Sequence, residues 1–143
     1  MKKLCLVLMA LIFAASACTS DKVGSFDQLP QDAQSIINQH FSKDSISYIT
    51  IDKEVFGTEY EVVFIDGTEL DFDQNGTLLM VDCGMLQVPD GLVPEQVLTY
   101  VHENYPSNYI VEWGKDDLRW KAELNSGLEL IFNQQYEFVG IDD

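Results

Sequence analysis

Basic side chains are scarce in this sequence: 8 Lys and Arg stand against 24 Asp and Glu in 143 residues, a formal net charge of −16. Such acidity disfavours nucleic acid or an anionic membrane surface as a partner, because both would repel it. Long apolar runs are missing too. The longest, Leu4 to Ala17, is too short to cross a bilayer as a helix, which excludes a polytopic membrane protein. Four prolines and nine glycines are too few for collagen or a low-complexity chain. Histidines number two and cysteines three, and no Ser/His/Asp or Cys/His arrangement argues for catalysis. What is present, 46% hydrophobic residues and 11% aromatic, suffices for the core of one domain or two very small ones.

Lys2 and Lys3 followed by the apolar run to Ala17 read as a signal peptide, residues 1–17. Its end, Ala15-Ser16-Ala17-Cys18, can be cut in two ways: as an A-x-A site, or as a lipobox that leaves Cys18 as the lipidated first residue. The lipobox is the expected form, followed by a tether over residues 18–26. Cleavage there leaves 126 residues with 6 basic and 24 acidic groups, a net charge of −18. Cys83 is then the partner-less thiol. It reads as a small buried apolar residue, or as half of a Cys18–Cys83 disulfide if Cys18 is not lipidated.

An internal repeat organises the rest. At a constant offset of 60, Gly67/Gly127, Glu69/Glu129, Leu70/Leu130, Phe72/Phe132, Gln74/Gln134 and Asp82/Asp142 are identical. Upstream, Leu29-Pro30 to Phe41 matches Val93-Pro94 to Tyr105 at an offset of 64. The first copy therefore carries four extra residues between its helix and its later strands. The units are expected to run over 27–86 and 87–143.

Each copy opens with a helix pattern. Pro30 and Pro94 suit a first turn, where a missing N–H costs nothing. Ala33, Ile36, Ile37 and Phe41 form one apolar stripe, and Val93, Val97, Val101 and Tyr105 the other. Strands follow. Tyr60, Val62, Phe64, Leu70 and Phe72 alternate with Glu59, Glu61, Glu69, Asp71 and Asp73, the period of half-buried strands. Asp66-Gly67, Asn75-Gly76 and Ser126-Gly127 supply turns. Ile46–Ile51 and Tyr109–Trp113 add one earlier strand per copy, giving a helix and three or four antiparallel strands in each unit.

The lipobox-like leader, the two helix-plus-meander units and the run Leu70-Asp71-Phe72-Asp73-Gln74-Asn75-Gly76 together resemble the PepSY-like, β-lactamase-inhibitor-protein-like family of exported Bacteroidetes proteins. The second copy departs from that pattern at Phe132-Asn133-Gln134-Gln135-Tyr136, which lacks the turn glycine. The resemblance implies an α+β fold of two tandem helix-plus-antiparallel-sheet repeats, with helices on one sheet face and the other face open for binding. The inhibitor analogy extends to the fold and supplies no contact residues.

Three constellations remain. Asp71, Asp73, Asn75 and Asp82 fit a D-x-D-x-N-G calcium spacing with a carboxylate in the twelfth position, although strands flank it where helices should. Glu59, Glu61, Glu69, Asp71 and Asp73 form an acidic stripe suited to a basic partner. Ile65, Ile131, Val139 and Ile141 are placed by alternation on the open face, giving it an acidic first half and a more apolar second half. His40 and His102 lie on the helices at non-equivalent positions, and no metal or cofactor is expected from them. The expected protein is thus an exported, lipid-anchored, non-enzymatic binding module of the periplasm or outer membrane. Its partner is a protein, with no nucleic acid and no membrane contact beyond the lipid on Cys18; the alternative is a calcium-dependent structural or sensor protein.

Overall fold

The computed structural model describes residues 22–142; the expected signal peptide, residues 1–17, and Cys18 lie outside the described residues. In chain order the elements are β1 (Lys22–Val23), α1 (Gln31–His40), β2 (Ile46–Glu54), β3 (Gly57–Phe64), β4 (Glu69–Phe72), β5 (Leu78–Asp82), α2 (Glu95–Asn104), β6 (Ile110–Asp116), β7 (Arg119–Leu124), β8 (Glu129–Phe132) and β9 (Phe138–Asp142). The class is α+β. The nine strands of the described residues form one sheet in sequence order, each antiparallel to the next. Met80, Val81 and Asp82 of β5 pair with Gly114, Trp113 and Glu112 of β6, so the two repeats share a single uninterrupted sheet.

Why the helices lie on one face follows from the stripes. Ala33 and Ile37 of α1 and Val97 and Val101 of α2 are buried and join Ile49, Ile51, Val62, Phe64, Leu70, Phe72, Val81, Trp113, Ala122, Leu124, Leu130 and Phe132 in one core. Burial of this apolar surface is the main favourable term in the fold. Pro30 and Pro94 stand one place earlier than a first turn: they are the N-cap residues, with extended ψ of 149° and 138°. A residue so placed needs no N–H, which gives proline the same advantage.

Register also locates the four extra residues. Asp52↔Glu59 in β2–β3 matches Asp116↔Arg119 in β6–β7. Unit 1 then adds the pairs Lys53↔Thr58 and Glu54↔Gly57 before its turn at Val55-Phe56. The insertion is thus a longer hairpin tip.

The turn that lacks glycine in the second copy keeps the shape of the first. Asp73 Oδ1 accepts the amides of Asn75 and Thr77, and Asn133 Oδ1 accepts those of Gln135 and Glu137. Gly76 has φ +87°, and Tyr136 takes the same region at φ +60°. The Asx side chain and the Tyr136 ring, 5.8 Å from Trp120 and 6.2 Å from Trp113, hold an aromatic residue where glycine is the easy choice.

Two expectations need correction. The tether does not extend to residue 26: Lys22 and Val23 pair with Ile51 and Thr50 of β2, and Phe26–Gln28 forms a 3-10 turn. The apolar open-face set is not one surface either. Ile141 registers with Leu130 on the helix side, and Val139 is the extra residue of a bulge opposite Ile131/Phe132. Ile65 sits in the turn after β3, beyond the strand alternation. Only Ile131 faces the open side, between Lys121 and Gly140, and it is buried there.

Candidate functional site

Because side chains alternate along each strand, the residues between the core positions point away from the helices. Two cross-strand rows result. One reads Thr50, Glu61, Asp71, Met80, Gly114, Lys121, Ile131, Gly140 from β2 to β9. The adjacent row reads Tyr48, Val63, Glu69, Asp82, Glu112, Glu123, Glu129, Asp142. Its last six members are all carboxylates, one per strand at about 4.8 Å intervals. Lys121 is the only cation in the two rows. Its Nζ lies 3.1 Å from Glu129 and 4.0 Å from Glu112. Burial pulls the Lys121 ammonium down, but the hydrogen bond it donates to Glu129 and the surrounding carboxylates outweigh it and leave its pKa raised.

In the first unit, Thr50, Asp52, Glu59, Tyr60, Glu61 and Asp71 line a concavity of about 270 Å³. Asp52 Oδ1 is buried with no hydrogen-bond partner among the described residues. Burial, then the charges of Glu61, Glu69 and Glu59, push the Asp71 carboxyl up to about 6. Burial likewise raises Glu112, against Lys121 and with help from Asp82, Glu123 and Glu129.

Asp71 carries a testable pH dependence. The unfolded chain loses this proton near 3.8 and the folded one near 6, so between those values the folded state binds more protons and stability falls as pH rises. The penalty is complete above about pH 6. Asp71→Asn is therefore expected to stabilise the protein by about 1–2 kcal/mol at pH 7, after allowance for solvent screening, and by nothing near pH 3. Urea midpoints at the two pH values check this; an equal gain at both would assign the effect to something other than charge.

Glu59, Glu61, Glu69 and Asp71 share this face, and the fifth residue of the stripe does not share its freedom. Asp73 follows the end of β4, and its Oδ1 is committed to the Asn75 and Thr77 amides. Despite some burial, those bonds hold its carboxyl below the usual range. The calcium quartet is likewise divided. Asp82 pairs with Glu69 at the far end of β4 from Asp73, roughly 13 Å away by strand rise, and its Oδ1 accepts the Gly84 amide at 2.7 Å. Among the described residues no group of three or more His, Cys, Asp or Glu is arranged to hold a metal ion. Cys83 is buried and has no disulfide partner among the described residues, its thiol pushed up to about 11 mainly by burial.

The acidic face extends further than strand alternation in the first unit predicts. Glu112, Glu123, Glu129 and Asp142 continue it through the second unit. Glu129 and Asp142 were visible as the repeat partners of Glu69 and Asp82, whereas Glu112 reaches the row only through the bulge between Ile110 and Glu112.

The sequence profile of the beta-lactamase-inhibitor-like, PepSY-like family matches residues 15–59 and 58–140, two consecutive regions spanning nearly the whole chain. The chain belongs to the PepSY-like family. No curated protein matches it. Among solved structures, the PepSY-like chain is similar to a periplasmic protein of the DUF2874 family from Bacteroides vulgatus, at 31% identity and TM-score 0.82, covering 88% of this chain and 99% of that one. A second B. vulgatus periplasmic protein, of unknown function, matches at 33% identity and TM-score 0.79, covering 86% and 99%. A Bacteroides thetaiotaomicron protein described as calcium-regulated and periplasmic matches at 31% identity and TM-score 0.80, covering 86% and 97%. The PepSY-like chain thus has periplasmic proteins as structural neighbours, and its family is named for likeness to an inhibitor, not for a reaction.

Proposed function

We propose that this protein is an exported, lipid-anchored, non-enzymatic binding module of the periplasm or outer membrane, whose open sheet face receives a basic segment of a protein partner. The carrying observation is the run of six carboxylates across β4–β9, flanked by Glu59, Glu61 and Asp71 and relieved only by Lys121. Like charges opposite one another in a sheet weaken it, so stability does not account for the pattern. A complementary cationic surface would remove that repulsion, and the field would speed encounter. The leader pattern over residues 1–17, just before Cys18, and the periplasmic neighbours support the location, and the inhibitor-like family supports a protein as partner.

The test is affinity capture from the envelope and secreted fractions, using the mature chain and a control carrying Glu61→Lys, Glu69→Lys and Asp71→Lys. A captured partner is expected to bind the control at least tenfold more weakly, and the wild-type affinity is expected to fall steeply with salt. Equal binding by both proteins would sink the reading.

A second reading, calcium regulation, is favoured by the description of the B. thetaiotaomicron neighbour. With Asp73 and Asp82 at opposite ends of their hairpin, calcium would act on the open face around Glu61 and Asp71. A melting temperature that rises in millimolar calcium, and fails to rise in Asp71→Asn, would support it.

A further inference from the structure

The tip of the β2–β3 hairpin is the most exposed apolar element of the described residues: Val55 is 92% and Phe56 96% exposed. Its repeat counterpart, Asp117-Leu118, ends a hairpin two residue pairs shorter. Neither side chain serves the core, and water contact with an aromatic ring at a projecting tip is unfavourable.

The chain's own geometry indicates what covers this tip. β1 is antiparallel to β2, with Lys22 opposite Ile51 and Val23 opposite Thr50. The chain therefore enters β1 from the side on which the β2–β3 tip projects. Cys18 precedes Lys22 by four residues, a covalent reach of at most about 14 Å. Val55 lies four residues beyond Ile51, about 13 Å along the strand. A lipid on Cys18 would thus bring the bilayer to the level of Val55 and Phe56.

We propose that the β2–β3 tip inserts Val55 and Phe56 into the membrane interface beside the lipid on Cys18, forming a second, apolar contact that fixes the domain's orientation. The inference rests on the lipid-anchor reading above. Lys22 and Lys53, both exposed, lie near the contact, with Asp52 and Glu54 on either side of Lys53 in the sequence. An acyl chain alone leaves a tethered domain free to swivel, and a second contact removes that freedom. The acidic rows then lie on a face distinct from the membrane-facing end.

The test separates the tip from the lipidation. The mature chain is coupled through the Cys18 thiol to a maleimide-bearing phosphatidylethanolamine in phosphatidylcholine vesicles, and amide hydrogen exchange is compared with that of the free protein. Exchange over residues 53–58 is expected to slow about tenfold on coupling, the effect of burying about one large apolar side chain. Val55→Ser/Phe56→Ser should abolish the slowing. Ile65→Ser, at an exposed position on the opposite end of the sheet, should leave it intact. Unchanged exchange at 53–58, or equal slowing at 65–68, would overturn the proposal, and the first result would turn attention to a protein partner for the tip. Absence of acyl mass on Cys18 from the native host would overturn the anchor itself, a result read independently of the vesicles.

Discussion

Phe132→Ala is expected to cost about 3–5 kcal/mol, the range for truncating a fully buried phenylalanine. Phe132 is 0% exposed on β8, with ring centroids of Tyr100, Phe138 and Trp113 at 5.7, 6.0 and 6.1 Å in edge-on arrangements. Those three come from α2, β9 and β6, so one ring holds the helix and both flanking regions of the second unit against the sheet. Its removal forfeits the transfer free energy, the cavity term and the edge-to-face contacts. With total stabilities commonly near 5–15 kcal/mol, the variant should show a large drop in urea midpoint with little change in slope. A cost below about 1 kcal/mol would mean that Tyr100 and Phe138 close the void. Phe72→Ala, at the repeat-equivalent and equally buried position, is the internal comparison.

Gly76→Ala should destabilise by about 2–4 kcal/mol, far more than alanine at Gly67. Both glycines have φ near +90°, so both substitutions incur the same left-handed penalty of about 1–2 kcal/mol. They differ in space. A Cβ on Gly67 meets nothing within 4 Å, whereas one on Gly76 would stand 2.8 Å from Ala33 N and 2.9 Å from Pro30 Cβ. The obstruction is the first turn of α1, backbone that cannot rotate aside, so the helix must lift from the hairpin. Urea denaturation of the two single variants isolates the steric part; equal costs would show that α1 yields freely at its N-terminus.

Much of this architecture was legible because the repeat supplied two readings of each element. The stripe Ala33, Ile37 and its partner Val97, Val101 gave both helices, and alternation at Tyr60–Phe64 and Leu70–Phe72 gave the buried sheet face. Where period-two counting failed, a local irregularity explains it. Bulges between Ile110 and Glu112 and opposite Ile131/Phe132 each insert a residue and reverse the faces beyond. Alternation continued one residue past the end of β4 places Asp73 on the acidic face, but there its side chain turns back to accept amide hydrogen bonds. β1 was missed because two residues, Lys22 and Val23, carry no periodicity at all. The length of the β2–β3 tip was visible as a change of offset from 64 to 60, and only the strand register showed where it fell.

The sequential order of the strands bears on how the molecule comes to exist. Every pairing joins strands consecutive in the sheet and in the chain, and two of them, β1 with β2 and β5 with β6, span a helix, α1 and α2 respectively. No strand waits for a distant segment before it can pair, so contact order is low and loop-closure entropy is small at each step. A chain delivered N-terminus first can add hairpin to hairpin as each one emerges. Assembly of the second unit then begins on a β5 edge that the first unit has already built.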